Sequence, residues 1–196
     1  MSGNARVPKQ KNDERVRRTR DRLGDAIIDL IQKQPFDTIK VQDVLDRAGV
    51  ARSTFYEHFR DKDDLLLSDM DEFLEQMATA LSRSRKPSDR LAPVKELFAH
   101  VAEMRPLYDA MLASGKVHDF LELAQGHFAR GIERRLKEIP RARGLTAKRR
   151  AALAPALAGA LLSLLTWWID HGEPGSAGEM DDLYHRMVWS GVAAKE

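Results

Sequence analysis

The sequence predicts an all-α fold of about nine helices, and three observations carry that prediction. Apolar residues recur at three- and four-residue spacing along most of the chain. Runs of β-branched residues with period-two alternation are absent. Glycine and proline mark the breaks between the helices, at Pro35, Gly49, Pro87, Gly115, Pro140 with Gly144, and Gly172 to Gly175.

Each element follows from local chemistry. Leu23, Ile27, Leu30 and Ile31 form one stripe of a first helix over 15–34, which Pro35 stops because its ring cannot continue a helix. A short helix over 41–48, a turn at Gly49-Val50 and a second short helix over 52–58 come next. Asp61 stands at the N-cap of a longer helix over 62–82, whose inner face is Leu65, Leu66, Met70, Phe73, Leu74 and Met77. The polar stretch 82–88, SRSRKPS, reads as a linker, so the division into domains is expected at 15–75 and 85–196. Beyond it the pattern predicts helices over 89–103, 106–113, 117–139, 146–171 and 176–194.

Composition narrows the function. The 196 residues are 43% hydrophobic and 32% charged, the mix of a globular chain able to bury a core. Without cysteine there are no disulfides, thiolate metal sites or cysteine nucleophiles. No HExxH spacing, glycine-rich phosphate loop or GxSxG elbow occurs, so no enzyme, cofactor or metal is expected. The N-terminus is basic with no apolar stretch behind it, which excludes a secretory signal and leads to a cytoplasmic expectation. Residues 1–22 carry eight Lys or Arg against three acids, the charge of an arm that follows nucleic acid or of a plain solvated tail.

The informative stretch is PFDTIKVQDVLDRAGVARSTFYEHFRDKDDLL, 35–66. Two helices this short do not stand alone in water and must be fixed on a third, which makes a trihelical helix-turn-helix. Gly49 supplies the positive φ of the turn, while Val44, Ala48, Val50, Phe55 and Phe59 point to a shared core. Arg52, Ser53, Thr54, Tyr56 and His58 are left facing outward, where short polar and basic side chains reach base edges or phosphates in a major groove. Lys62 adds a cation at the start of the next helix.

The stretch AGVARSTFYEHFRDKDDLL resembles the signature of the TetR/AcrR, or tetracycline-repressor-like, family. The resemblance covers residues 15 to 75, with the helix-turn-helix proper at 40–59. It implies that Arg52, Ser53 and Thr54 face bases, that Tyr56 and Lys62 hold phosphates, and that His58 sits at the groove edge. Lys40 replaces the usual Thr or Ser before the first short helix and is expected to meet phosphate as a cation. Ala51 replaces a frequent Ser, losing a cap worth about 1 kcal/mol, and Leu45 stands where a small alanine is common. Arg15, Arg17 and Arg18 would extend along the minor groove, as family arms sometimes do.

In the second half, Ala151 to Ile169 is nineteen residues without a charge, near the length of a bilayer span. Pro155 and its many alanines weaken that reading, and a buried helix apolar on several sides is the expectation. The family resemblance implies homodimerisation through the helices at 146–171 and 176–194, with Ala156, Gly159, Ala160 and Ser163 allowing close approach. It also implies a small-molecule effector, for which His100, Met104, Tyr108, Met111, Phe120, His127, Phe128, Trp167 and Trp168 are candidate pocket residues. The predicted function is a ligand-responsive homodimeric repressor of a palindromic operator in double-stranded DNA. The alternative is a helical interaction module that kept the fold and lost sequence-specific binding.

Overall fold

A computed structural model describes residues 7–83 and 88–192, and so omits part of the expected linker and the first residues of the basic arm. Among the described residues there are nine α-helices and two 3-10 turns, with no strand. The helices are α1 (Val7–Ile31), α2 (Val41–Ala48), α3 (Arg52–Tyr56), α4 (Lys62–Arg83), α5 (Val94–Glu103), α6 (Arg105–Ala113), α7 (Val117–Glu138), α8 (Ala147–Asp170) and α9 (Ala177–Val192). The turns are Phe36–Thr38 and Pro140–Ala142. The chain forms two compact units, one of the chain through Asp69 with Pro106–Lys116, the other of Met70–Arg105 with the chain from Val117 onward.

In the first unit, α1 presents Leu23, Ala26, Ile27 and Ile31 to α2, whose Val44, Leu45 and Ala48 are buried in return. Phe55 and Phe59 lie together on the inner side, ring centroids 5.8 Å apart, and Leu65 and Leu66 of α4 are buried as well. Asp61 caps α4 as expected, its carboxylate accepting the Asp64 N–H at 2.8 Å. Arg20 ties α1 to α4, donating to Ser68 Oγ at 2.7 Å and lying over the Phe59 ring. Lys116, at the end of the unit, pairs with Asp63 and stands 5.3 Å from the Phe36 ring centroid.

In the second unit, α7 packs along α8, and α9 lies against α5 and α8. Gly131 of α7 lets α4 approach: a Cβ there would meet the Ala78 carbonyl oxygen at 2.5 Å. Thr146 caps α8, and Ser176 with Glu179 makes a reciprocal capping box that starts α9. By length and composition α8 is, among the described residues, the one helix apolar enough to cross a membrane.

One expected helix is shorter than predicted. Residues 88–93 are irregular and α5 begins only at Val94, with Pro93 at the N-cap. Tertiary bonds hold the segment instead. Arg135 donates to the Ser88 and Arg90 carbonyls, Trp189 Nε1 to that of Asp89 at 3.1 Å, and the Leu91 N–H donates to His185 Nε2 at 3.0 Å. With carbonyls and amide already partnered by side chains of α7 and α9, the segment has no deficit for a helix to satisfy. Helix α3 likewise ends at Tyr56 rather than His58, while α1 ends at Ile31, ahead of Pro35.

Candidate nucleic-acid interface

The helix-turn-helix is built from the turn outward. Gly49 adopts φ +62°, the left-handed conformation that stops α2 and that a side chain would strain. Arg22 of α1 reaches the same turn and donates Nη2 to the carbonyls of Ala48 and Gly49, the latter at 3.1 Å. A guanidinium at the carbonyl end of a helix neutralises its unpaired acceptors and fixes the turn to α1.

Lys40 sits at the N-cap of α2 and carries no oxygen to cap with. Asp43 compensates, its carboxylate accepting the Lys40 backbone N–H at 2.8 Å, so the Lys40 side chain remains exposed and free of that task. Ala51 gives α3 no side-chain cap. The helix is held instead by Phe55, fully buried on its inner face.

That anchoring sets which side chains face out. Arg52, Ser53 and Tyr56 are exposed, Tyr56 at 51%, while Thr54 and His58 are half-buried, His58 lying edge-on to Phe59. Arg52 Nη2 donates to Gln42 Oε1 of α2 at 3.1 Å, and Gln42 Nε2 donates to Asp46 Oδ1 at 2.7 Å. Arg15, Arg17 and Arg18 of α1 are exposed, Arg18 facing Glu14 at 3.8 Å.

Lys62 is tied to the segment ahead of α2. Its Nζ donates to the carbonyls of Phe36 at 2.6 Å and Ile39 at 2.9 Å, and lies 4.3 Å from the Phe36 ring centroid. The ammonium thus clamps the 3-10 turn ahead of α2. Two carbonyls and an aromatic face within reach bind a compact cation better than open solvent does.

The candidate pocket residues fall in both units. Tyr108 and Met111 are buried in the first unit, and the others lie in the second. His100 stacks on Phe73 at 4.4 Å, and burial lowers its pKa, with Glu103 acting in the opposite direction. Met104 closes α5 half-buried. His127 is buried with Nε2 2.8 Å from Asp71 and Nδ1 3.1 Å from Glu75, so its ring is committed to α4 carboxylates. Phe120 and Phe128 are core residues. Trp168 is buried on Phe98 with Nε1 donating to the Gly175 carbonyl, whereas Trp167 is 45% exposed and stacks on His171. Trp167 therefore faces an open groove between α7 and α8 rather than an interior pocket.

Arg22, Gln42 and Asp46 are the residues of this surface that sequence reasoning passed over. No periodicity marks a side chain that bonds to backbone 26 positions away, and an exposed Gln on an amphipathic helix looks like any solvated residue.

The model of "Bacterial regulatory proteins, tetR family" matches residues 23–68. The HTH-type transcriptional regulator AcrR of Shigella flexneri is 29% identical over 97 residues, 48% of this chain and 45% of that protein. YxbF of Bacillus subtilis, an HTH-type transcriptional regulator, is 28% identical over 85 residues, 43% of this chain and 22% of that protein. The chain thus spans less than half the length of either curated relative in the matched region. A TetR transcriptional regulator from Streptococcus agalactiae shares the fold with TM-score 0.61 and 22% identity, covering 91% of this chain and 98% of that one. The dihydroxyacetone kinase operon activator DhaS does so with TM-score 0.63 and 16% identity, covering 89% and 96%. A left-handed turn at Gly49 and a three-helix head on a Phe55–Phe59 core accompany these likenesses, and it is over residues 23–68 that the chain is similar to the bacterial regulatory proteins of the tetR family.

Proposed function

We propose that this protein is a homodimeric, ligand-responsive repressor that binds a palindromic operator in the cytoplasm. The observation that carries DNA reading is the outward face of α3: Arg52, Ser53 and Tyr56 are exposed on a helix whose opposite side is fixed by buried Phe55. Arg52 and Ser53 offer donors and acceptors to base edges, and Tyr56 and Lys40 offer phosphate contacts. Half-buried Thr54 and His58 take the groove edge.

Dimerisation is supported by apolar surface that the single chain leaves uncovered. On α8 these residues are Ala152, Ala156 and Trp167, and on α9 Leu183 and Met187, with Leu183 at 41% and Met187 at 51% exposure. Small Ser163 and half-buried Gly159 on the same helix permit close approach of a second copy. Two-fold symmetry would place two α3 helices about 34 Å apart, one turn of DNA. Release by a small molecule rests on the resemblance to tetracycline-repressor-like proteins.

Selection of bound duplexes from a random pool, with the mass of the complex measured in solution, tests this reading. An enriched two-fold palindrome bound by two copies is expected. Recovery of no sequence preference would refute operator recognition and favour the interaction-module alternative.

A further inference from the structure

The exposed face of α2 carries a polar chain that reaches Arg52 of α3. Asp46, Gln42 and Arg52 are all solvent-exposed, yet they are joined end to end: Asp46 Oδ1 accepts from Gln42 Nε2 at 2.7 Å, and Gln42 Oε1 accepts from Arg52 Nη2 at 3.1 Å. An amide has one acceptor end and one donor end. Turned over, Gln42 would present its oxygen to the Asp46 carboxylate and its NH2 to the Arg52 guanidinium, two repulsive contacts in place of two hydrogen bonds. Asp46, one helical turn from Gln42, therefore decides which end of the amide meets Arg52.

We infer that Gln42 and Asp46 are positioning residues that pre-orient Arg52 to read a guanine in each half-site. The inference rests on the DNA-reading assignment above. A guanidinium has five N–H donors in a planar fork. One is taken by Gln42, and an edge remains for the paired acceptors O6 and N7 that guanine alone presents in the major groove. Gln42 also fixes the plane of the fork before DNA arrives. Ordering a long side chain costs binding energy only on the duplex where it makes its bonds, so pre-orientation raises the affinity for guanine and leaves the affinity for other bases unchanged.

The test measures affinity for the selected operator and for duplexes with each half-site base pair replaced in turn. The wild type is expected to prefer guanine at one position by about 5- to 150-fold, the range for a bidentate pair. Arg52→Ala abolishes that preference. Gln42→Ala and Asp46→Ala each lower it by about 2- to 10-fold at the same position and nowhere else. In a Gln42→Glu background both side-chain oxygens accept, no end needs choosing, and Asp46→Ala, which there only removes a like charge, no longer lowers the preference.

The inference is overturned if Gln42→Ala changes preference at a different base pair, since Gln42 would itself be the reader. An equal loss at every position, no loss, or the same Asp46→Ala effect in both backgrounds also overturns it. A wild type with no preferred operator fails earlier and refutes DNA reading, so the two failures are told apart.

Discussion

Replacing Lys62 with alanine separates two roles that the sequence alone does not distinguish. Lys62 Nζ holds the Phe36 and Ile39 carbonyls at 2.6 and 2.9 Å and lies over the Phe36 ring. Hydrogen bonds to a charged group contribute about 1.5–3 kcal/mol each when buried. Lys62 is half-buried, and water partly replaces the lost ammonium. The two bonds then contribute about 1 kcal/mol each and the cation–π contact about 0.5 kcal/mol. Lys62→Ala should therefore destabilise by about 2–3 kcal/mol. For a chain of this length that lowers the melting temperature by about 4–12 °C, read by circular dichroism without DNA. Lys62→Met, which keeps the aliphatic stem, should recover part of the packing and none of the carbonyl clamp. The reasoning is refuted if the melting temperature is unchanged while all duplexes are bound more weakly and the slope of log affinity against log salt drops by about one. That pattern belongs to a lost phosphate contact.

Three further outcomes are expected. Gly49→Ala forces a Cβ into φ +62° and to 2.8 Å from Arg22 Nη2, so it should cost about 1–2 kcal/mol of unfolding free energy, read from urea denaturation. Gly49→Asn, which tolerates that conformation, should cost less, and equal costs would argue against backbone strain. Gly131→Ala brings a methyl to 2.5 Å from the Ala78 carbonyl oxygen, a backbone atom that cannot step aside. Forcing α4 and α7 apart should lower stability by about 1–3 kcal/mol, so an unaltered midpoint would show that this contact is slack. Tyr184 is fully buried with its hydroxyl donating to the Leu157 carbonyl at 3.0 Å, and burial raises its pKa above the ordinary value of 10.0. Its contribution is intact below pH 10 and is lost as pH rises toward the higher folded value, because the unfolded chain loses that proton first. Denaturant midpoints from pH 8 upward should fall beyond pH 10, and Tyr184→Phe should flatten the fall. An identical profile in the variant would place the alkaline sensitivity elsewhere.

Reading the chain in one dimension worked where the cause of structure is local. The Leu23, Ile27 and Ile31 stripe, the Asp61 cap, the left-handed turn at Gly49 and the inward Phe55 and Phe59 are each dictated by the backbone or by helical period, and each is found as expected. The exposed Arg52, Ser53 and Tyr56 follow from the same period, as what remains once the core side is assigned. Beyond that range the sequence is silent for a physical reason. Trp167 and Trp168 are neighbours of one type, and only the packing of α8 on α7 and α9 decides that one is solvent-exposed and the other buried. A basic residue on a helix surface has the same signature whether it meets solvent, phosphate or a carbonyl. Hence Lys62 as a clamp on Phe36 and Ile39, Arg22 as the brace of the Gly49 turn and His127 as the partner of Asp71 and Glu75 emerge only when distant segments come together. The stapled segment 88–93 makes the same point for the backbone. Its polar groups are satisfied by Arg135, His185 and Trp189 from 45 to 100 positions away, and tertiary hydrogen bonding there replaced the helix that local pattern favoured.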